Sequence, residues 1–187
     1  GGFSHGARRF VEPELHELLP SADWAWRRPI SSGRPPPGCA YHTATRLSRG
    51  RVLVFGGNDA ERSFAQPHVL ELSSMQWSHP STTGEAPAPR TGHAAVGLDG
   101  TRVLVYGGWD YTAHGDGFDF RDDVAILDTD AWAWTRPDVA GAPPAARVGH
   151  TMVALETGGE YRALFLFGGR SQDDIVLGDL YMLRPVT

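Results

Sequence analysis

The sequence predicts an all-β protein built from a repeated unit of four short strands, and three spacings carry that prediction. Double glycines at Gly56-Gly57, Gly107-Gly108 and Gly168-Gly169 close three similar apolar runs and lie 51 and 61 residues apart. Histidines His42, His93 and His150 precede those runs at intervals of 51 and 57, and tryptophans Trp26, Trp77 and Trp134 follow the same intervals. Three residue types with different chemistry share one period, the signature of a repeat architecture.

Each strand of the unit has its own justification. The first carries the histidine, as in Thr91–Leu98. The second is the apolar run, Arg51–Phe55, Arg102–Tyr106 or Arg162–Phe167. It lacks polar alternation, as expected of a strand covered on both faces. The third is read at Val69–Leu72, Val124–Asp128 and Leu180–Leu183. The fourth carries aromatics two apart, Trp24/Trp26 and Trp132/Trp134, with Met75/Trp77 in the middle unit; a period of two would put each pair on one face. The 23 glycines and 14 prolines favour turns between such strands, and no stretch shows a helical period.

These residues resemble the kelch repeat, a unit of about 50 residues that forms one blade of a β-propeller. Arg90-Thr-Gly-His93 and Arg147-Val-Gly-His150 match the family's Arg-x-Gly-His start. The unit at His42 departs from it, with Cys39, Ala40 and Tyr41 ahead of the histidine. Residues 1–28 then form a partial blade, 39–80 and 90–136 complete blades, and 147–185 a second partial blade. That is about three and a quarter blades, fewer than the four to eight of a closed propeller. The resemblance therefore implies a partial propeller, completed by further sequence or by another chain. It also implies structural roles for His42, Gly56, Gly57, Trp77, Arg90, His93, Gly107, Gly108, Trp134, Arg147, His150, Gly168 and Gly169. The glycines would make a tight strand exit, the histidines would pack near the central channel, the tryptophans would fill blade interfaces, and Arg90 and Arg147 would bridge blades.

Composition narrows the function. A net charge of −5 and a pI near 5.9 argue against a phosphate-neutralising surface, so no nucleic-acid partner is expected. No apolar run approaches the ~20 residues of a membrane span, so no membrane partner is expected. A lone cysteine, Cys39, allows neither an internal disulfide nor a thiolate cluster, and fits a cytoplasmic setting, with cytoskeletal association a further expectation. The double glycines lack the Lys-Ser/Thr of a phosphate loop. Histidines at equivalent places in successive blades would be spread around a ring rather than converge on a metal. No Gly-x-Ser-x-Gly is present. Iron-dependent kelch proteins imply Glu, Asp and His at four-residue steps; Asp110 and His114 have the last step, but Tyr106 stands in the first position. A calcium reading of Asp116, Asp119, Asp122 and Asp123 matches no EF-hand spacing. No catalytic residue, metal or cofactor is therefore assigned.

The loops carry the functional expectation. Loops after each double glycine and segments leading into each first strand emerge on the same face. Trp109–Asp123 is the longest departure from the period and holds five Asp and four aromatics. Aromatic anchors in polar surroundings suit a protein-binding hot spot, so Trp109, Asp110, Tyr111, Asp116, Phe118, Asp119 and Phe120 are the candidate partner-binding residues. Phe3–Phe10 is a basic loop on the same face, and 31–37, 83–89 and 141–145 are proline-stiffened lead-in segments. The expectation is a non-catalytic protein–protein interaction module within a larger protein or assembly. The alternative is an enzyme or ligand-binding propeller whose site other blades complete. The resemblance implies cytoskeletal, ubiquitin-ligase or scaffold partners.

Overall fold

The computed structural model describes residues 3–4, 9–10, 14–20, 24–110, 119–157 and 160–184. They form four successive blade sheets, besides the two-residue pairs Phe3–Ser4 with Arg9–Phe10 and Trp109–Asp110 with Asp119–Phe120. Glu17–Leu19 and Ala25–Arg27 are the strands of an N-terminal partial blade. The first complete blade pairs Thr43–Leu47, Arg51–Phe55, His68–Glu71 and Gln76–Ser78 in antiparallel order. The second repeats this with Ala94–Gly97, Arg102–Tyr106, Val124–Asp128 and Ala133–Thr135. A C-terminal blade contains Thr151–Thr157, Glu160–Phe167 and Leu180–Leu183.

Two details differ from the sequence-based expectation. Each complete blade has a fifth strand, from the lead-in segment, paired in parallel with its fourth: Ser32–Gly33 with Gln76–Trp77, and Thr83–Gly84 with Ala133–Trp134. Glycine allows this approach, because a Cβ on Gly33 or Gly84 would collide with the carbonyl oxygen of Trp77 or Trp134. The aromatic pairs also do not share a strand face. Trp24, Met75 and Trp132 are left-handed (φ 44°, 51° and 53°) and stand directly before the fourth strand. Only Trp26, Trp77 and Trp134 lie on the strand itself.

The core lies between blades. Leu53 and Phe55 of the first complete blade meet Val103, Val105 and Leu127 of the second, and Trp134 fills the gap with its ring 5.2 Å from that of Phe55. Trp77 packs with Val54 and Leu70, beside Leu15 of the N-terminal blade. Leu104 and Tyr106 meet Leu164 and Leu166 at the next interface. The second strands of the two complete blades are thus covered on both faces, each buried side chain contributing about 1.5–3 kcal/mol. The C-terminal blade buries one apolar face this way, while Val153, Leu155, Phe167, Leu180 and Met182 on the other are exposed.

Candidate functional site

A polar layer joins the blades beneath their loops. Gly56 and Gly107 are left-handed, and a Cβ there would sit 2.5 and 2.8 Å from the Cε1 atoms of His93 and His150. Each glycine therefore leaves room for the imidazole of the following blade. The His93 ring meets Phe55 edge-on at 5.4 Å, and His150 meets Tyr106 likewise at 5.5 Å. Nε2 of His93 lies 2.9 Å from the hydroxyl of Thr43. Ala94, the counterpart of Thr43, offers His150 no hydroxyl. Burial, reinforced by the Arg90 charge, pushes His93 down to about 3, and burial with Arg147 takes His150 to about 4. Both are neutral at pH 7. In the departing unit His42 is partly buried, and its Nδ1 lies 3.6 Å from Sγ of Cys39.

The arginines make the expected contact between blades through their backbone, while their side chains stay within their own blade. Arg90 is fully buried, and its Nη1 and Nη2 each donate to Asp123 of its own blade at 2.9 Å. It also donates to the carbonyls of Gly107 and Ala88, at 3.0 and 3.1 Å. Arg147 repeats the pattern with Asp179 (2.6 and 2.9 Å), Gly168 and Ala145. The guanidinium turns inward because the aspartate before the third strand lies within its own blade. The arginine backbone makes the bond between blades instead: Gly57 N–H donates to the Arg90 carbonyl and Gly108 N–H to that of Arg147, both at 2.9 Å. Burial alone would raise the Asp123 carboxyl, but bonds from Arg90 and Arg136 outweigh it and hold the group below its ordinary range. Arg147 does the same for Asp179. The first complete blade lacks both partners, having Cys39 for the arginine and, by strand register, Gln66 for the aspartate.

The loops sit on this layer. Lead-in residues Ala40, Thr91 and Val148 bridge to Asn58, Trp109 and Arg170, the first residues after the double glycines, so the two loop sets share one end of the blades. Among the candidate partner-binding residues, Tyr111, Asp116 and Phe118 lie outside the described residues. Trp109 and Asp110 pair in antiparallel register with Phe120 and Asp119, and the rings of Trp109 and Phe120 are 6.2 Å apart. Arg121 closes the loop, donating from its N–H to the Gly108 carbonyl (2.8 Å) and holding Asp119 by an ion pair at 2.8 Å. Asp123 and Asp119 of the calcium reading are thus both paired with arginine, and among the described residues no three His, Cys, Asp or Glu side chains converge to hold a metal. No helix among the described residues is long and apolar enough to cross a membrane.

Tyr41 belongs to this end and was not among the sequence-based candidates. It has φ 58° where its counterparts Gly92 and Gly149 have 65° and 67°, and it is 72% exposed. Gly92 N–H donates to its carbonyl at 3.0 Å, and Gly149 N–H donates to that of Gly92 at 2.9 Å, so the three residues form one hydrogen-bonded row. A tyrosine in a glycine's place was the available signal, visible only by aligning the repeats.

Comparison with known proteins agrees with this geometry. The chain is 32% identical over 131 residues to acyl-CoA-binding domain-containing protein 4 of Arabidopsis thaliana, covering 70% of this chain and 19% of that one. It is 32% identical over 139 residues to the Rab9 effector protein with kelch motifs of Mus musculus, covering 73% and 32%. Host cell factor 1 of Homo sapiens matches at 29% over 171 residues, covering 82% and 8%. The chain thus spans a third or less of these relatives. The solved structure of YjhT superposes with a TM-score of 0.67 over 91% of this chain and 48% of that one, at 14% identity, which supports the propeller fold. The KLHDC2/KLHL20/DRC7 kelch-repeats domain matches residues 1–187 throughout, and the chain belongs to that kelch-repeat family.

Proposed function

We propose that the chain is a protein-binding module that engages its partner through the loop end of its blades, around Tyr41, Trp109 and Phe120. The exposure of Tyr41 in a left-handed backbone carries this reading. A non-glycine residue there costs about 1–2 kcal/mol, which the repeat avoids elsewhere by using glycine. The exposed ring gains little packing in return, so its benefit is sought in binding. The Gly92 N–H donates to the Tyr41 carbonyl, and a Cβ on Gly92 would lie 3.7 Å from the Trp109 ring, so the aromatics border one surface. Kelch-bearing relatives, one of them named as a Rab9 effector, support a binding role.

The test pairs stability with capture. Tyr41→Gly should raise unfolding free energy by about 1 kcal/mol, while proteins retained by the immobilised parent from a lysate of its source are lost. Trp109→Ser with Phe120→Ser should lose the same proteins. Unchanged retention by both variants, at unchanged folding, would remove this end from the interface.

A further inference from the structure

The first strand of each complete blade runs from the loop end to a hairpin turn at the opposite end, at 48–50 in the first blade and 98–101 in the second. Between the two turns lies an open cleft of about 470 Å³. We propose that it is a binding site for a small soluble phosphate monoester, held by Arg46, Ser48 and Arg49. The cleft is separate from the loop end and independent of its proposed role.

Comparison of the repeats shows what is particular to this turn. By strand register Arg46, Ser48 and Arg49 correspond to Gly97, Asp99 and Gly100 of the second complete blade, and to Ala154, Glu156 and Thr157 of the C-terminal blade. The other two blades therefore carry an acid and no base at these positions, whereas the first carries two bases and no acid. Relative to the second blade each exchange adds one positive unit, in a chain whose net charge is −5. Arg49 also takes a left-handed backbone, with φ 58° where Gly100 has 82°, a conformation that a side chain disfavours.

The added charges are unspent. Arg46 and Arg49 are exposed, and neither guanidinium has an ion-pair or hydrogen-bond partner among the described residues. Arg51 and Arg102, which open the second strands of the same hairpins, are paired with Asp130 at 3.7 Å and with Asp99 at 2.6 Å. Asp99 lines the cleft, but its carboxylate is taken up by Arg102 and by the N–H and hydroxyl of Thr101. At the equivalent place Ser48 has a buried hydroxyl without a hydrogen-bond partner, an unsatisfied group that a ligand oxygen can complete. The facing wall leaves room for that ligand. Ala95 packs toward the first blade and Val96 toward the C-terminal blade, so Gly97 faces the cleft. Its backbone is not left-handed and does not demand glycine. A phosphate monoester suits this set, because three acceptor oxygens match two guanidiniums and a hydroxyl. The volume lies within the range of about 300–1,000 Å³ common to small-ligand sites.

Glycerol phosphate, titrated into the full chain by isothermal calorimetry at low salt, tests the assignment, with acetate and a phosphoserine tripeptide for comparison. Saturable binding is expected, at least about tenfold tighter than that of acetate. Arg49→Gly and Ser48→Asp write the second blade's residues into the first, so both should fold with a urea midpoint no lower than the parent's. Each should weaken binding at least about tenfold. Should either variant unfold, Arg46→Ala removes a donor from the strand instead, with the same loss expected. Absence of saturable binding, equal affinity for acetate, or unchanged affinity in the folded variants would overturn the proposal. So would a phosphoserine tripeptide bound more than about tenfold tighter than the ester, which would assign the site to a protein partner.

Discussion

The Arg90–Asp123 pair allows a double-mutant cycle whose end point the protein already contains. Cys39 and Gln66 hold the equivalent positions in the first complete blade, so Arg90→Cys with Asp123→Gln writes that solution into the second. Asp123→Gln alone leaves a guanidinium with 0% exposure without its carboxylate. Stranding a buried charge costs about 3–5 kcal/mol. Arg90→Cys alone leaves Asp123 bonded to Arg136 at 2.8 Å, but removes the donor to the Gly107 and Ala88 carbonyls. Unsatisfied buried acceptors of that kind set a cost of about 2–4 kcal/mol. The double variant strands no cation and should cost no more than the arginine change alone. The coupling energy should then be about 2 kcal/mol or more, well above the few tenths expected of independent sites. Urea unfolding of the four proteins measures it, provided the slope with denaturant is the same for all. Strictly additive costs would refute the reasoning, because they would mean that the buried cation does not depend on this carboxylate.

Two further outcomes follow from burial. Trp134→Ala and Trp77→Ala should each destabilise by about 3–5 kcal/mol, and Trp26→Ala, 68% exposed, by less than about 0.5 kcal/mol; equal melting temperatures across the series would break the interface assignment. His93 and His150, at about 3 and about 4 in the fold, are lower than in the unfolded chain, so the unfolded chain binds more protons as pH falls below about 6.5. Stability should therefore be full above that pH and decline by about 2 kcal/mol per histidine by pH 5, with Asp123 and Asp179 adding a loss only at still lower pH. A flat denaturation midpoint between pH 7 and pH 5 would contradict it.

The fold was legible because its marker residues answer to geometry that recurs. A left-handed glycine faces the next blade's histidine, and an indole fills the interface on either side of the first complete blade, so both types return with the period. The direction of Arg90 was not legible, since spacing cannot show which blade supplies the carboxylate. The fifth strand escaped because Ser32–Gly33 and Thr83–Gly84 lie in proline-rich segments, and two residues are too few to display alternation. Trp132 and Trp134 are two apart, as strand neighbours are, but the left-handed turn at Trp132 has the same spacing without the shared face. At the loop end, Trp109 and Phe120 were recognised by composition, whereas Tyr41 required knowing which repeat position it occupies.

The departures from the repeat concentrate in the first complete blade. Cys39 replaces the arginine, Tyr41 replaces the glycine, and Gln66 replaces the aspartate that would otherwise pair with the arginine. Losing both halves of a buried ion pair is close to neutral, because neither charge is left stranded. Drift in the scaffold accounts for that exchange. It does not account for Tyr41, whose left-handed backbone is unfavourable and whose side chain stays in solvent. A sequence that breaks a local rule at an exposed position, with no packing gain, does so most often where binding or chemistry occurs. The row Tyr41–Gly92–Gly149 runs beneath the loop end, so the one residue in it with a side chain projects where a partner approaching Trp109 would meet it.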